Sequence, residues 1–365
     1  MKREALCILL AIVLVLIPTG YEGAKNYQGA DRSRAKVLSV NNSAIIDTGL
    51  IRTGEQSCEL KLLDGRFRGQ TVTGVNLLKG SLESDKLYNV GDTAYVVVEY
   101  EGEEIRYILM VDHFRIGWEV LLIALFALFL ILFGGKTGFR AIYSFVITIL
   151  MIWKVLVPGY LNGANPIVLG IVITIALTVL IISLVYGIDR RLLAAGSGAL
   201  LGILVTVVLG GIFTYLLKIH GAVMPYSESL LYAGFEYLDL TQIFIAGIFV
   251  GSSGAMMDLA VDITSAVHEV VVKCPDITRR AAIRSGMNVG RAAMGTMTTT
   301  LLLAYSGGYI ALLMVFMAQG NPVDNILNYK YVAAEILDTI VGSFGLVTVA
   351  PCTAICAGVF LTKRD

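Results

Sequence analysis

The stretch PIVLGIVITIALTVLIISLVY, residues 166–186, runs for 21 residues without a charged side chain. As an α-helix it is about 31 Å long, which matches the roughly 30 Å hydrocarbon core of a bilayer. Working outward, further apolar segments recur at about 118–133, 141–157, 192–217, 241–258, 292–318 and 336–360. A shorter run from Ala5 to Ile17 brings the expected number to eight. A 365-residue chain that is 56% hydrophobic, 15% charged and of mean hydropathy +0.76 has the composition of an integral membrane protein.

The formal net charge of zero conceals an uneven distribution. With the N-terminus inside, the inner loops carry Lys136 and Arg140, then Arg190 and Arg191, then Lys273, Arg279, Arg280 and Arg284, and finally Lys363 and Arg364. The outer loops, 158–165, 218–240 and 319–335, hold few basic residues, so both termini are expected on the cytoplasmic side. Tyr226, Tyr232 and Tyr237 make 218–240 either a re-entrant hairpin or an interfacial cap, and interfacial placement suits aromatic residues. Met1-Lys2-Arg3, the apolar run and Pro18 have the shape of a signal peptide. Glu22 stands two before Ala24, a poor small-x-small site, so the segment reads as an uncleaved anchor, with cleavage the alternative. The five cysteines, Cys7, Cys58, Cys274, Cys352 and Cys356, contain no C-x-x-C pair, and only Cys58 lies in the candidate external region. Neither a disulfide framework nor a cysteine metal site is expected.

Between about Ala35 and Arg115 the texture changes to short alternating runs, Ala35 to Val40, Cys58 to Leu63, Gly69 to Leu77, Ala94 to Tyr100 and Ile105 to Val111. Turn signals at Asp64-Gly65, Gly91-Asp92 and Glu101-Gly102-Glu103 separate them. They predict a small five-stranded barrel or sandwich, OB-like in shape, outside the membrane and without a nucleic-acid role. The expected organisation is an anchor and linker at 1–30, an extracytoplasmic β domain at 31–117 and a helical membrane domain at 118–365.

Within the apolar sequence, Gly247, Gly251, Gly254, Asp258, Asp262, Ser265 and Glu269 recur at spacings of three and four, which is one stripe on one helix. Glycines let backbones approach, whereas carboxylates at membrane depth are expensive unless paired, hydrated or used. Asp258 lies about 25 Å along the helix from Thr241, near the inner boundary. One reading makes 258–273 an interfacial helix whose acids face water while Val267, Val270 and Val271 cover lipid. The other turns the acids to the bundle interior to bind a cation or proton. Asn288, Arg291, Gly295, Thr298 and Thr299 form a second stripe, with Arg291 the expected partner of Asp258 or Asp262 in either a structural or a functional ion pair. Glu335, Asp338, Gly342 and Gly345 form a third, near the outer end of the last segment, although acids at a helix start are commonly solvated. A polar seam from Glu335 and Asp338 to Asp258 and Asp262 is what translocation requires.

Other motif readings fail on spacing. His268-Glu269 lacks a second histidine four residues on. Gly134-Gly135-Lys136-Thr137 echoes a phosphate-binding loop, but Leu130 stands where that motif needs glycine. Gly251-Ser252-Ser253-Gly254 does not have the spacing of a nucleophile elbow. Asp258-x3-Asp262 has no accompanying phosphate loop to support magnesium chemistry. No cofactor and no enzymatic activity are expected, and the metal preference is open.

The run Gly254-Ala255-Met256-Met257-Asp258-Leu259-Ala260-Val261-Asp262-Ile263 resembles the YibE/F family. So do Arg284-Ser285-Gly286-Met287-Asn288-Val289-Gly290-Arg291, Met294-Gly295-Thr296-Met297-Thr298 and Leu301-Leu302-Leu303-Ala304-Tyr305. The resemblance extends through Asn165-Pro166, Ala334-Glu335-Ile336, Val341-Gly342-Ser343-Phe344-Gly345 and Pro351, covering about 120 to 360. It implies a bacterial multi-pass plasma-membrane protein, loosely permease-like, and names no substrate. This chain departs from the family pattern at Thr299, where Asn is frequent, and at Asp338, where a basic residue is common.

The sequence therefore leads to two functional expectations. The first is a secondary permease for a small solute or ion, with Asp258, Asp262, Glu269, Asn288, Arg291, Thr298, Glu335 and Asp338 as binding residues. Gly247, Gly251, Gly254, Gly295, Gly342 and Gly345 would serve helix packing. The second is a receptor or accessory scaffold whose outer β domain binds a protein partner. Lipid is the expected surroundings in both, homo-oligomerisation fits both, and nucleic acid fits neither.

Overall fold

The computed structural model describes residues 2–21 and 29–362. The stretch around Glu22 and Ala24 read for cleavage, and Lys363 and Arg364 of the last basic cluster, lie outside the described residues. The chain divides into two compact units, one of Tyr21–Phe133 and one of Met1–Gly20 with Gly134–Asp365.

The first unit holds a closed barrel of β1 (Ala30–Asp47), β2 (Arg52–Leu62), β3 (Thr71–Lys79), β4 (Thr93–Glu101) and β5 (Glu104–His113). The strands close in the order β1-β2-β3-β5-β4 expected of an OB-like barrel, with β3 and β5 parallel and the other neighbours antiparallel. Strand β1 is much longer than Ala35 to Val40. Register shifts between Val37 and Ser39 and between Asn41 and Ala44 bend it, so that one strand pairs with both β2 and β4 and leaves no free edge there. Alternation turns Val37, Leu60, Leu62, Val96, Val98, Ile108 and Met110 inward around Phe67 and Tyr88. Gln56 is also fully buried. It is satisfied by bonds to Asn42 Oδ1 and the Tyr88 carbonyl, each 2.9 Å, and by accepting the Tyr88 N–H at 3.0 Å.

The second unit is helical. Helix α1 (Lys2–Leu16) has 15 residues, and α2 (Ile116–Met151), whose residues up to Phe133 belong to the first unit, continues through a π turn and α3 (Val157–Leu161) to residue 161. Then follow α4 (Pro166–Tyr186), α5 (Arg190–Leu216), the short α6 (Ser227–Tyr232), α7 (Leu240–Lys273), α8 (Arg279–Ser306), α9 (Ile310–Ala318), α10 (Val323–Asn328) and α11 (Lys330–Leu361). Polar residues set several starts: Asn165, Asp189, Asp239 and Thr278 each accept a backbone N–H from the first turn of α4, α5, α7 and α8.

Six helical stretches among the described residues are long and apolar enough to cross a membrane. The expected eight segments differ from these because α1 is short and because 118–133 and 141–157 lie in one stretch, Ile116–Leu161. That stretch breaks at Gly135, whose backbone (φ 50°, ψ −124°) is not helical. Segment 292–318 begins earlier than expected. Arg279, Arg280 and Arg284 stand on the first turns of α8 rather than in a loop.

The core forms where α11 packs against α5, α7 and α8. Missing side chains make that possible: a Cβ on Gly198 would overlap Thr353, one on Gly202 would overlap Val349, and one on Gly345 would overlap Met256 and Thr206. Leu14 of α1 packs with Ile147 of α2 and Leu184 of α4. In segment 218–240, Ile219 and Val223 lie against Phe244, Leu337 and Val341, whereas Tyr226, Tyr232 and Tyr237 are exposed.

Candidate functional site

Helix α7 has two faces. Phe249, Ser252, Met256, Leu259, Ala260, Ile263 and Val267 are buried against its neighbours. Gly247, Gly251, Gly254, Asp258, Asp262, Ser265 and Glu269 all fall on the exposed side. The acids therefore do not point into the chain's own helical core, contrary to the interior reading. The 3.6-residue period that gathers them into one stripe places the bulky apolar residues opposite, and burying those is the larger gain.

Along this exposed face the partners differ. Tyr186 of α4 bonds through its hydroxyl to Ser265 Oγ at 2.7 Å and donates to the Val261 carbonyl. The Arg191 guanidinium lies 4.9 Å from the Tyr186 ring centroid and is paired with Asp189 at 2.7 Å. Glu269 pairs with Lys273 at 2.6 Å, one turn along, as a solvated helix face does. Neither Asp258 nor Asp262 has an ion-pair partner among the described residues. On α8, Asn288, Arg291, Gly295 and Thr299 are exposed, and Arg291 forms no ion pair there either. The Thr298 hydroxyl donates to the Met294 carbonyl at 3.0 Å and so serves its own helix.

The third stripe opens on a cavity. At the end of the unit where α7 and α11 begin, Glu335 and Asp338 line a space of about 210 Å³ with Met224, Phe244, Gly247 and two tyrosines, Tyr309 and Tyr331. Both carboxylates are half-buried. Tyr309 and Glu335 share the walls of this cavity and of a neighbouring cleft. Asp338 Oδ1 is shielded from solvent and has no protein hydrogen-bond partner. The tyrosines were not singled out from sequence. They come from separate elements, and only the i, i+4 spacing of Tyr305 and Tyr309 on one helical stretch hints at a shared face.

Gly247 joins the cavity to the stripe. One turn on, a Cβ at Gly251 would meet the Tyr305 hydroxyl at 2.9 Å, while at Gly254 it would reach open space. From Gly247 the face continues for about 16 Å to Asp258 and about 22 Å to Asp262. Of the remaining glycines read as packing positions, Gly342 lies against Ser252 and Leu301, and Gly345 against Met256 and Thr206, whereas Gly295 borders open space. Among the described residues no group of three or more His, Cys, Asp or Glu is arranged to hold a metal ion.

A family model described as YibE/F-like protein matches residues 122–363, well over half of the chain. No curated protein and no solved structure matches it.

Proposed function

We propose that this chain, which belongs to the YibE/F-like family, is a secondary permease that moves a small solute or ion across a bacterial plasma membrane. The supporting observation is the continuity of one helix face: Gly247 lines the cavity with Glu335 and Asp338, and Gly251, Gly254, Asp258 and Asp262 continue that face along α7. Carboxylates at two depths give a positively charged species two places to rest, and the glycines between them leave the space a side chain would fill. The basic residues at the start of α5, the end of α7 and the start of α8 support a cytoplasmic side for those ends and for both termini, and with it an extracytoplasmic 31–117.

The open acidic face is costly against lipid. A second copy of the chain covers it in this reading. A two-fold contact brings Arg291 of each copy to Asp258 and Asp262 of the other, which the single chain leaves unpaired. The path then runs between the copies, where small shifts of α7 open it to one side or the other.

The test re-expresses the native chain, Asp258→Asn or Asp262→Asn at matched membrane levels in a deletion strain and compares intracellular metabolites and metal ions. Solute levels restored by the native chain and by neither variant are expected. Full restoration by a variant removes that carboxylate from the path, and no solute difference between the deletion and native strains overturns the permease reading.

A further inference from the structure

We propose that the cavity at Glu335 and Asp338 binds a small organic ammonium ion bearing a short alkyl chain; this rests on the permease reading and names its substrate class. The charge comes first. Two carboxylates stand one turn apart on α11, and no lysine, arginine or histidine is among the cavity's lining residues. Donors are scarce: among the lining residues only Tyr309 and Tyr331 carry side-chain donor groups. Half-buried carboxylates need donors, and an ammonium group brings up to three N–H bonds with a compensating charge.

The walls choose among cations. Divalent calcium takes six to eight oxygen ligands, but here Met224, Phe244 and Ile248 supply sulfur, ring and methyl surfaces. Three lining residues, Tyr309, Tyr331 and Phe244, are aromatic, and aromatic rings favour a weakly hydrated organic cation over a strongly hydrated inorganic one. Tyr331 already shows the interaction, with the Lys330 ammonium 5.2 Å from its ring centroid. Glu335 and Tyr309 also line a neighbouring cleft of about 220 Å³ walled by Leu302, Leu313, Ile336 and Ile340. An ammonium held by Glu335 and Asp338 therefore has an apolar surface within reach for a hydrocarbon chain.

The experiment titrates n-butylammonium into the full chain in lipid nanodiscs and follows saturation-transfer NMR signals of the alkyl protons. Saturable binding is expected, weakened by about tenfold or more in Asp338→Asn, where a charge-assisted hydrogen bond is lost. Tyr331→Leu, which keeps both carboxylates, is expected to weaken butylammonium binding as well, while Gly211→Ala, where an added Cβ meets nothing within 4 Å, leaves it unchanged. Absence of binding, full displacement by equal concentrations of sodium or calcium chloride, or unchanged affinity in both Asp338→Asn and Tyr331→Leu overturns the proposal. The flux test on Asp258 and Asp262 is separate: flux lost in those variants without butylammonium binding removes the substrate class and leaves the permease.

Discussion

Asp85 shows how one carboxylate shapes the barrel. It accepts the backbone N–H groups of Lys79, Gly80 and Ser81 at 2.7–3.0 Å and so closes the turn after β3. The N–H of Lys79 is the chief reason its pKa lies below the usual carboxylate value, with Ser81 and Gly80 adding to it. Asp64 is held down too: burial pushes it up, but bonds from Arg34 and Ser33 outweigh that. A carboxylate with a depressed folded pKa contributes stability that is fully present above its unfolded pKa of about 4 and is lost as pH falls through the folded value. At neutral pH, hydrogen exchange of β2 and β3 in the full chain is therefore expected to be faster in Asp85→Asn than in the native protein. As pH falls below about 4 the two should begin to converge, and they should meet once the folded carboxylate is protonated, after correction for intrinsic exchange rates. Equal protection at neutral pH would show that the turn does not depend on the charge.

At the scale of elements, glycine has opposite effects on two parts of α5. Replacing a helical glycine by alanine ordinarily gains roughly 0.5–1 kcal/mol. At Gly211 a Cβ meets nothing within 4 Å, so Gly211→Ala is expected to leave the melting temperature unchanged or raise it. At Gly202 the same atom would overlap Val349 Cγ2 and lie 3.0 Å from the Gly345 carbonyl oxygen. Gly202→Ala is therefore expected to cost about 1–3 kcal/mol through overpacking, read as a lower melting temperature in detergent. Equal melting temperatures for the two variants would mean that α5 and α11 do not meet this closely. The comparison also shows what the sequence could and could not tell. Alternation and charge-free runs located the strands and the long helices, because period and length are local properties. Periodicity also found the stripe on α7, but both faces of that helix carry small residues, Ala246, Ser252 and Ala260 on one and Gly247, Gly251 and Gly254 on the other. Which face meets a neighbour is settled by tertiary packing. The cavity was legible only as Glu335 and Asp338, since Met224, Phe244 and Tyr309 reach it from three distant parts of the chain.

For the whole molecule, the unpaired charges on α7 and α8 bear on the assembly that the permease proposal invokes. Asp258 and Asp262 on one exposed face and Arg291 on another have no ion-pair partner within the described chain, and lipid offers none. A two-fold pairing would satisfy both signs twice over, and Gly254, one turn before Asp258, would let the two α7 helices approach closely. In a chain whose five native cysteines are replaced by serine, Gly254→Cys is expected to form an inter-chain disulfide in native membranes. Arg291→Asp should abolish that cross-link by setting like charges against each other, and adding Asp262→Arg to the same chain should restore it, because the contact is self-complementary. A cross-link indifferent to Arg291→Asp would place the contact elsewhere on α7. Absence of any cross-link would return the acidic face to water and require the proposed path to open within a single chain, so the oligomeric state also decides where a route between the two carboxylate pairs could lie.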